Sequence, residues 1–144
     1  MEGNGTTFDL TGQRALVTGG SAGIGLAIAR GLARCGATVA IAGRSADRLA
    51  RALDQLHGIR RDAQAFTLDV SDAAALPGRW AEISAGLGGV DILANIAGGF
   101  TMGPPLHETP DKDWELMLNL NARTVFYCCR AVVPRMLASG GGRI

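Results

Sequence analysis

The chain has 144 residues, 47% of them hydrophobic, and a formal net charge of +1. That length suits one domain with a sizeable core, and so balanced a charge offers no bulk attraction to nucleic acid or to an anionic membrane surface. No apolar segment is long enough to span a bilayer, and Met1 to Leu10 lacks the basic start and apolar middle of a secretory signal, so a cytoplasmic location is expected.

In chain order, residues 1–12 carry glycine and asparagine without periodicity and predict a loose leader that orders as Phe8 to Leu10 packs down. Arg14 to Thr18 predicts a first strand, short and apolar as a strand buried on both faces should be. Ile24, Ala27, Ile28, Gly31, Leu32 and Cys35 recur at helical spacing and predict a first helix ending at Gly36. Thr38 to Ala42 predicts a second strand, closed by Gly43-Arg44-Ser45, and a helix follows over 46–56 with Ser45 as its N-cap.

A third strand is predicted over Ala65 to Leu68. Leu76, Trp80, Ile83 and Leu87 mark one face of a third helix, with Pro77 in its first turn and Gly88-Gly89 ending it. Val90 to Ala94 predicts a fourth strand, and a long loop runs from Asn95 to Pro110. Leu118, Ala122, Phe126, Cys129, Val133 and Leu137 mark one apolar face of a fourth helix over 111–138, its last turns bent by Pro134 and part of its cover expected to be lost without a fifth strand. Arg143-Ile144 reads as the opening of another strand. Alternating strands and helices imply an α/β fold, a doubly wound parallel sheet with helices on both faces.

Ligands of such sheets collect at the carboxyl ends of the strands. The first of these turns reads Thr18-Gly19-Gly20-Ser21-Ala22-Gly23-Ile24-Gly25, and it opens a helix whose first amide groups have no internal partner. Gly19 supplies a tight turn, Gly23 lets the backbone approach a pyrophosphate, and Gly25 lets the helix pack closely on the strand. This is a dinucleotide grip, and its context after a strand and before a helix raises it above an ordinary glycine turn.

After the second strand, where an acid usually meets a ribose hydroxyl, stands Arg44 with Ser45. An arginine there suits a 2'-phosphate, which favours NADP over NAD; the alternative is a solvated surface charge. After the third strand, Asp69 with Val70 can meet an adenine, or Asp69 can act as an N-cap-like acid near the next helix. Asn95 to Gly98, after the fourth strand, is small enough to lie against a ribose, or is a plain strand-to-loop turn. Cys35, Cys128 and Cys129 have no metal-ligand spacing, no cluster of His, Cys or acids predicts a metal, and His57 and His107 receive no role.

The run TGGSAGIG at 18–25, Asp69-Val70, NIAG at 95–98 and NLNARTVF around Asn121 together resemble the short-chain dehydrogenase/reductases, over almost the whole chain and in order. The resemblance includes members such as the 3-oxoacyl-[acyl-carrier-protein] reductases. It implies a Rossmann-type domain over residues 1–144. The pyrophosphate would be held by Gly19, Ser21, Gly23, Ile24 and Gly25, the 2'-phosphate by Arg44 and Ser45, and the adenine by Asp69 and Val70. The adjacent ribose would lie on Asn95, Ala97 and Gly98, where Ile96 replaces the family's second asparagine. Asn121 matches the helix asparagine of the family's Asn-Ser-Tyr-Lys tetrad, where it holds a water in the proton relay, the register against Phe126 and Pro134 favouring it over Asn119; on its residues alone the alternative is a buried structural amide.

The resemblance implies an oxidoreductase that passes hydride between NADP and a carbonyl or secondary alcohol. It also implies a homodimer or homotetramer paired through the fourth helix. The family's serine and Tyr-x-x-x-Lys are expected past the strand that begins at Arg143, so the 144 residues are read as truncated before the fifth strand. Tyr127, the only tyrosine, is followed four positions on by Ala131, and Lys112, the only lysine, precedes it. The alternatives are a non-catalytic NADP-binding module, an inactive truncated product, or a scaffold that binds no nucleotide. Without a fifth strand, the fourth is expected to be an apolar open edge and the chain marginally soluble.

Overall fold

A computed structural model describes residues 8–144. Strand β1 (Arg14–Thr18) is buried from Ala15 onward and lies at the centre of a parallel sheet. Beside it run β2 (Thr38–Gly43), β3 (Gln64–Thr67) and β4 (Ile92–Asn95), in the spatial order β3-β2-β1-β4. Arg14 stands against Thr38 and Thr18 against Ala42 on one side, while Ala15 stands against Ile92 and Thr18 against Asn95 on the other. The order reverses at β1, and the carboxyl ends of all the strands therefore finish on one edge.

Alternation along each strand assigns two layers. Ala15, Val17, Val39 and Ile41 face a core completed by α1 (Gly23–Arg34) and α2 (Ala46–His57). Leu16, Ala40 and Leu93 face a second core with Trp80 and Ile83 of α3 (Leu76–Leu87) and Cys128, Val132 and Met136 of α5 (Thr124–Ala138). The doubly wound parallel sheet expected from the sequence is the observed architecture. Strand bounds differ by one or two residues: β3 begins at Gln64, though the Leu68 amide still donates to Gly43, and β4 begins at Ile92.

Two helical faces depart from expectation. In α1 the buried residues are Gly25, Ala29 and Ala33, whereas Ile24 is 73% exposed and Ala27 and Gly31 face solvent. A helix drawn close to a sheet presents its smallest residues to it, and Leu26, Ile28 and Leu32 flank that stripe half-buried. The predicted fourth helix is two helices, α4 (Asp111–Leu118) and α5, joined by a π turn over Asn119–Arg123. The buried residues of α5 are Thr124, Cys128, Val132 and Met136, while Phe126 and Leu137 are exposed. Apolar residues lie on several sides of this segment, so its periodicity had two solutions, and the wide turn shifts the register between its halves.

The proposed leader falls partly outside the described residues, since residues 1–7 are not described. Leu10 packs beside α1 and its amide donates to Cys35, but Phe8 stays exposed. Arg143 forms the expected start of a strand: it pairs parallel with Ile92, its amide donating to Asp91 and its carbonyl accepting from Leu93. Among the described residues no helix is long and apolar enough to cross a membrane.

At the opposite edge from the strand ends, Arg14 and Asp91 tie β1 to the start of β4. Arg14 Nε and Nη2 each donate to the Asp91 carboxylate at 2.8 Å, and the Arg14 amide adds a third bond at 2.8 Å. These bonds hold the Asp91 carboxyl below its usual range despite its partial burial. Asp91→Asn is expected to cost about 1–3 kcal/mol near neutral pH in urea denaturation, in keeping with charge-assisted bonds. Because the folded-state pKa lies below the unfolded one, the contribution is complete above the unfolded value and is lost as pH falls through the depressed one. The difference between wild type and variant should therefore shrink in acid.

Candidate functional site

At the end of β1 the chain turns at Gly19, with φ +69°, where a Cβ would come 2.9 Å from the Ala97 amide nitrogen. Gly19 therefore needs both its backbone freedom and its lack of a side chain. Ala22 enters α1 extended and gives no side-chain cap, and Gly23 takes φ +51° in open space. A Cβ on Gly25 would strike the Gly19 carbonyl. The amides of the first turn of α1 are thus left without a protein cap at the sheet's carboxyl edge.

Thr18 is 1% exposed and fixes the neighbouring loop: its Oγ1 accepts from the amides of Ile96 at 3.1 Å and Ala97 at 3.2 Å. These bonds lay Ala97 and Gly98 beside Gly19. Across the bend, Ser21 sits against Gly43 at the end of β2. Ser45 caps α2 by accepting from the Arg48 amide, as expected, and Arg44 and Arg48 stand on either side of it.

Beyond β3, Asp69 accepts from the Ser71 amide at 2.9 Å and the Ser71 hydroxyl at 2.6 Å. Those bonds, with a smaller contribution from the Arg44 cation, hold the Asp69 carboxyl below its ordinary value against mild desolvation. The acid serving the approach to α3 is Asp72, whose Oδ1 accepts from Ala74 and Ala75, so Asp69 is not that helix's cap.

These pieces enclose a cleft of about 480 Å³ across the strand ends. Of the residues predicted from sequence, Gly19, Ser21, Arg44 and Ser45 line it on one side, and Asp69, Val70, Ala97 and Gly98 on the other. Gly23, Ile24 and Gly25 do not line it; they form the adjoining first turn of α1, with Ile24 projecting into solvent. Asn95 also stays off the cleft wall, its Nδ2 donating to Cys129 Sγ at 3.7 Å.

Asn121 stands in the π turn. Its Nδ2 donates to the carbonyls of Gly99 at 2.8 Å and Met117 at 2.9 Å, and its Oδ1 accepts from the Gly99 amide at 3.1 Å. The side chain is exposed rather than buried, and it clamps the loop that follows β4. Gly98 permits this approach, since a Cβ there would lie 2.6 Å from Asn121 Oδ1.

Sequence reasoning missed Arg48, Ser71, Leu120 and Thr124 on the cleft wall, and the part played by Thr18. Arg48 follows Arg44 by one helical turn, which is a readable signal. Leu120 and Thr124 depend on the π turn and had none. Of the cysteines, Cys128 is buried and its thiol is pushed up to about 12 by desolvation and the neighbouring Cys129, which makes it inert. Among the described residues no group of three or more His, Cys, Asp or Glu is arranged to hold a metal ion.

A parallel, doubly wound sheet with its cleft at the strand ends defines a Rossmann-type protein. The family model for short chain dehydrogenases matches residues 13–144, and the chain belongs to that family. It is 41% identical over 137 residues to gluconate 5-dehydrogenase of Gluconobacter oxydans strain 621H, a match covering 95% of this chain and 53% of the relative. The solved RhlG/NADP active-site complex of Pseudomonas aeruginosa superposes with a TM-score of 0.83 at 37% identity, covering 92% of this chain and 51% of that one. L-Sorbose reductase of Gluconobacter frateurii, solved with NADPH and L-sorbose, gives 0.83 at 33% identity, covering 94% and 52%. The chain spans about half the length of the curated relatives it matches.

Proposed function

We propose that the chain is the NADP-binding part of an oxidoreductase acting on a carbonyl or secondary alcohol. The observation that carries this reading is the pair Arg44 and Arg48 beside Ser45, on the wall of the same cleft as Gly19 and Ser21. The donor set fits the cofactor: uncapped amides at the head of α1 for a pyrophosphate, a glycine bend that a Cβ would fill, and two guanidinium forks for a 2'-phosphate. Asp69 and Val70 would meet the adenine, and Ala97 and Gly98 the ribose beyond, with Asn95 supporting them from behind. Ile24 would lie along the cofactor's exposed side. When bound, the nicotinamide exchanges a hydride with the substrate carbon.

Asn121 orders the loop beneath the nicotinamide end through Gly99, and Oδ1 retains a lone pair with which to hold a water of the proton relay. Tyr127 lines a different depression, between α3 and α5, and so cannot donate a proton in the cleft. That placement favours a second reading for the 144 residues taken alone, NADP binding without turnover. The exposed Trp114, Phe126 and Leu137 of α4 and α5 favour pairing of two or four chains through these helices. Three unpaired cysteines among the described residues agree with a cytoplasmic setting.

Calorimetric titration with NADPH and NADH tests the reading. NADPH is expected to bind at least about tenfold more tightly, the worth of one charge-assisted contact. Equal affinities would remove the 2'-phosphate assignment, and no binding of either would remove the cofactor.

A further inference from the structure

Two polar side chains among the described residues are almost wholly buried, Thr18 at 1% exposure and Thr124 at 2%. Thr18 holds the loop after β4 from the strand side, through the amides of Ile96 and Ala97. Thr124 stands on the helix side of the same loop, at the head of α5 and on the cleft wall. Its backbone amide donates to the carbonyl of Asn119, five residues back, which is the wide spacing of a π turn. Its hydroxyl donates at 2.8 Å to the carbonyl of Leu120, four residues back, the acceptor that an α-helical amide would take. A threonine hydroxyl turned back on such a carbonyl bends a helix, and π turns concentrate at functional sites.

The residues inside this turn are the ones that reach the loop. Asn121 clamps Gly99 at its amide and its carbonyl, and Leu120 Cδ1 stands 3.0 Å from where a Cβ on Gly99 would lie. Leu120 and Thr124 line the cleft together with Ala97 and Gly98. Closing the turn to α-helical spacing would rotate the Asn121 side chain by about 100° relative to α5, the step of one helical residue, and carry it off Gly99.

We propose that Thr124 is a positioning residue: its hydroxyl holds the wide turn, and the turn sets Asn121 and Leu120 against the loop that carries Ala97 and Gly98. Its consequence for the cofactor rests on the reading that this loop receives the ribose. Its hold on Asn121 is a property of the free chain.

Thr124→Val keeps the shape of the side chain and removes the hydroxyl, whereas Thr124→Ser keeps the hydroxyl. Val132→Ala, on the buried face of the same helix and off the cleft wall, loses core packing alone. The Asn121 side-chain amide signals are followed in the ¹⁵N-labelled chain without cofactor, identified by their loss in Asn121→Asp. They are expected to move toward those of a free carboxamide in Thr124→Val, and to stay near the wild-type positions in Thr124→Ser and Val132→Ala. Thr124→Ala, which also lacks the hydroxyl and favours an α-helix, should move them in the same way. NADPH affinity by calorimetry should fall about fivefold in Thr124→Val, as for one neutral hydrogen bond lost, and by less than about twofold in Thr124→Ser and Val132→Ala. The proposal is overturned by unmoved Asn121 signals in the variants without the hydroxyl, by Thr124→Ser behaving as Thr124→Val does, or by Val132→Ala moving the signals as far. Displaced signals with unchanged NADPH affinity also overturn it, because the turn would then serve no ligand. A wild type that binds no NADPH would instead remove the cofactor reading, and the Asn121 signals would still decide whether Thr124 positions that side chain.

Discussion

Gly25→Ala is expected to destabilise the protein by about 2 kcal/mol or more and to lower its affinity for NADPH at least a hundredfold. Within a helix the same change ordinarily stabilises by up to about 1 kcal/mol, because glycine costs more backbone entropy. Here the added Cβ would meet the Gly19 carbonyl, a backbone atom that can yield only by moving the bend. Gly19 is itself closed in by the Ala97 amide at 2.9 Å, so displacement spreads to the loop after β4. Gly31→Ala supplies the contrast: the position lies in the same helix, is exposed, and has nothing within 4 Å of the new atom. It should be neutral or stabilising and leave cofactor affinity unchanged. Urea denaturation and calorimetry on the two variants measure both effects, and equal behaviour would show that close packing of α1 on the bend does not matter.

Arg44→Asp is expected to reverse the coenzyme preference. Replacing the guanidinium by a carboxylate removes a bidentate contact and sets an anion opposite a phosphate, so NADPH affinity should fall about a hundredfold or more. NADH has a ribose hydroxyl at that place, which a carboxylate can accept from, so its affinity should hold or rise. Arg44 is exposed, and the fold should be affected by no more than about 0.5 kcal/mol. Arg48→Ala, which keeps Arg44, should lose a smaller part of the NADPH preference and none of the NADH affinity. A parallel fall for both coenzymes in Arg44→Asp would mean that Arg44 serves the cleft's general field instead of the 2'-phosphate.

The architecture was legible because its strands are short apolar runs, each closed by glycine or a polar turn. Leu16 and Val17 could only belong to a strand buried on both faces, and Leu76, Trp80, Ile83 and Leu87 have one helical solution, which the structure adopts. Where helices carry apolar residues all round, pattern alone failed. Ile24 looked like core and projects into solvent, because close approach of α1 to the sheet selects Gly25, Ala29 and Ala33 instead. The face of α5 was misassigned for a related reason, compounded by the π turn at Asn119–Arg123, which no residue pattern announced.

Legibility of the cleft followed the same division. Residues that sit directly after a strand, such as Gly19, Arg44, Asp69 and Ala97, could be placed from strand positions alone. Arg48, Leu120 and Thr124 reach the cleft through helix geometry, and Thr18 acts through buried hydrogen bonds that depend on the pairing of β1 with β4. Asn121 was narrowed to two readings by sequence. The structure supplies its loop-clamping bonds to Gly99, which a water-holding role would use rather than replace.

The most direct measurement is backbone amide mapping of the ¹⁵N-labelled chain during titration with NADPH. The largest shifts are expected at the amides of Gly19 to Gly25, followed by those around Arg44 and Asp69, with the α3–α5 depression undisturbed. Shifts that spare the first turn of α1 while NADPH binds would contradict the account, because the uncapped amides there would then hold no phosphate.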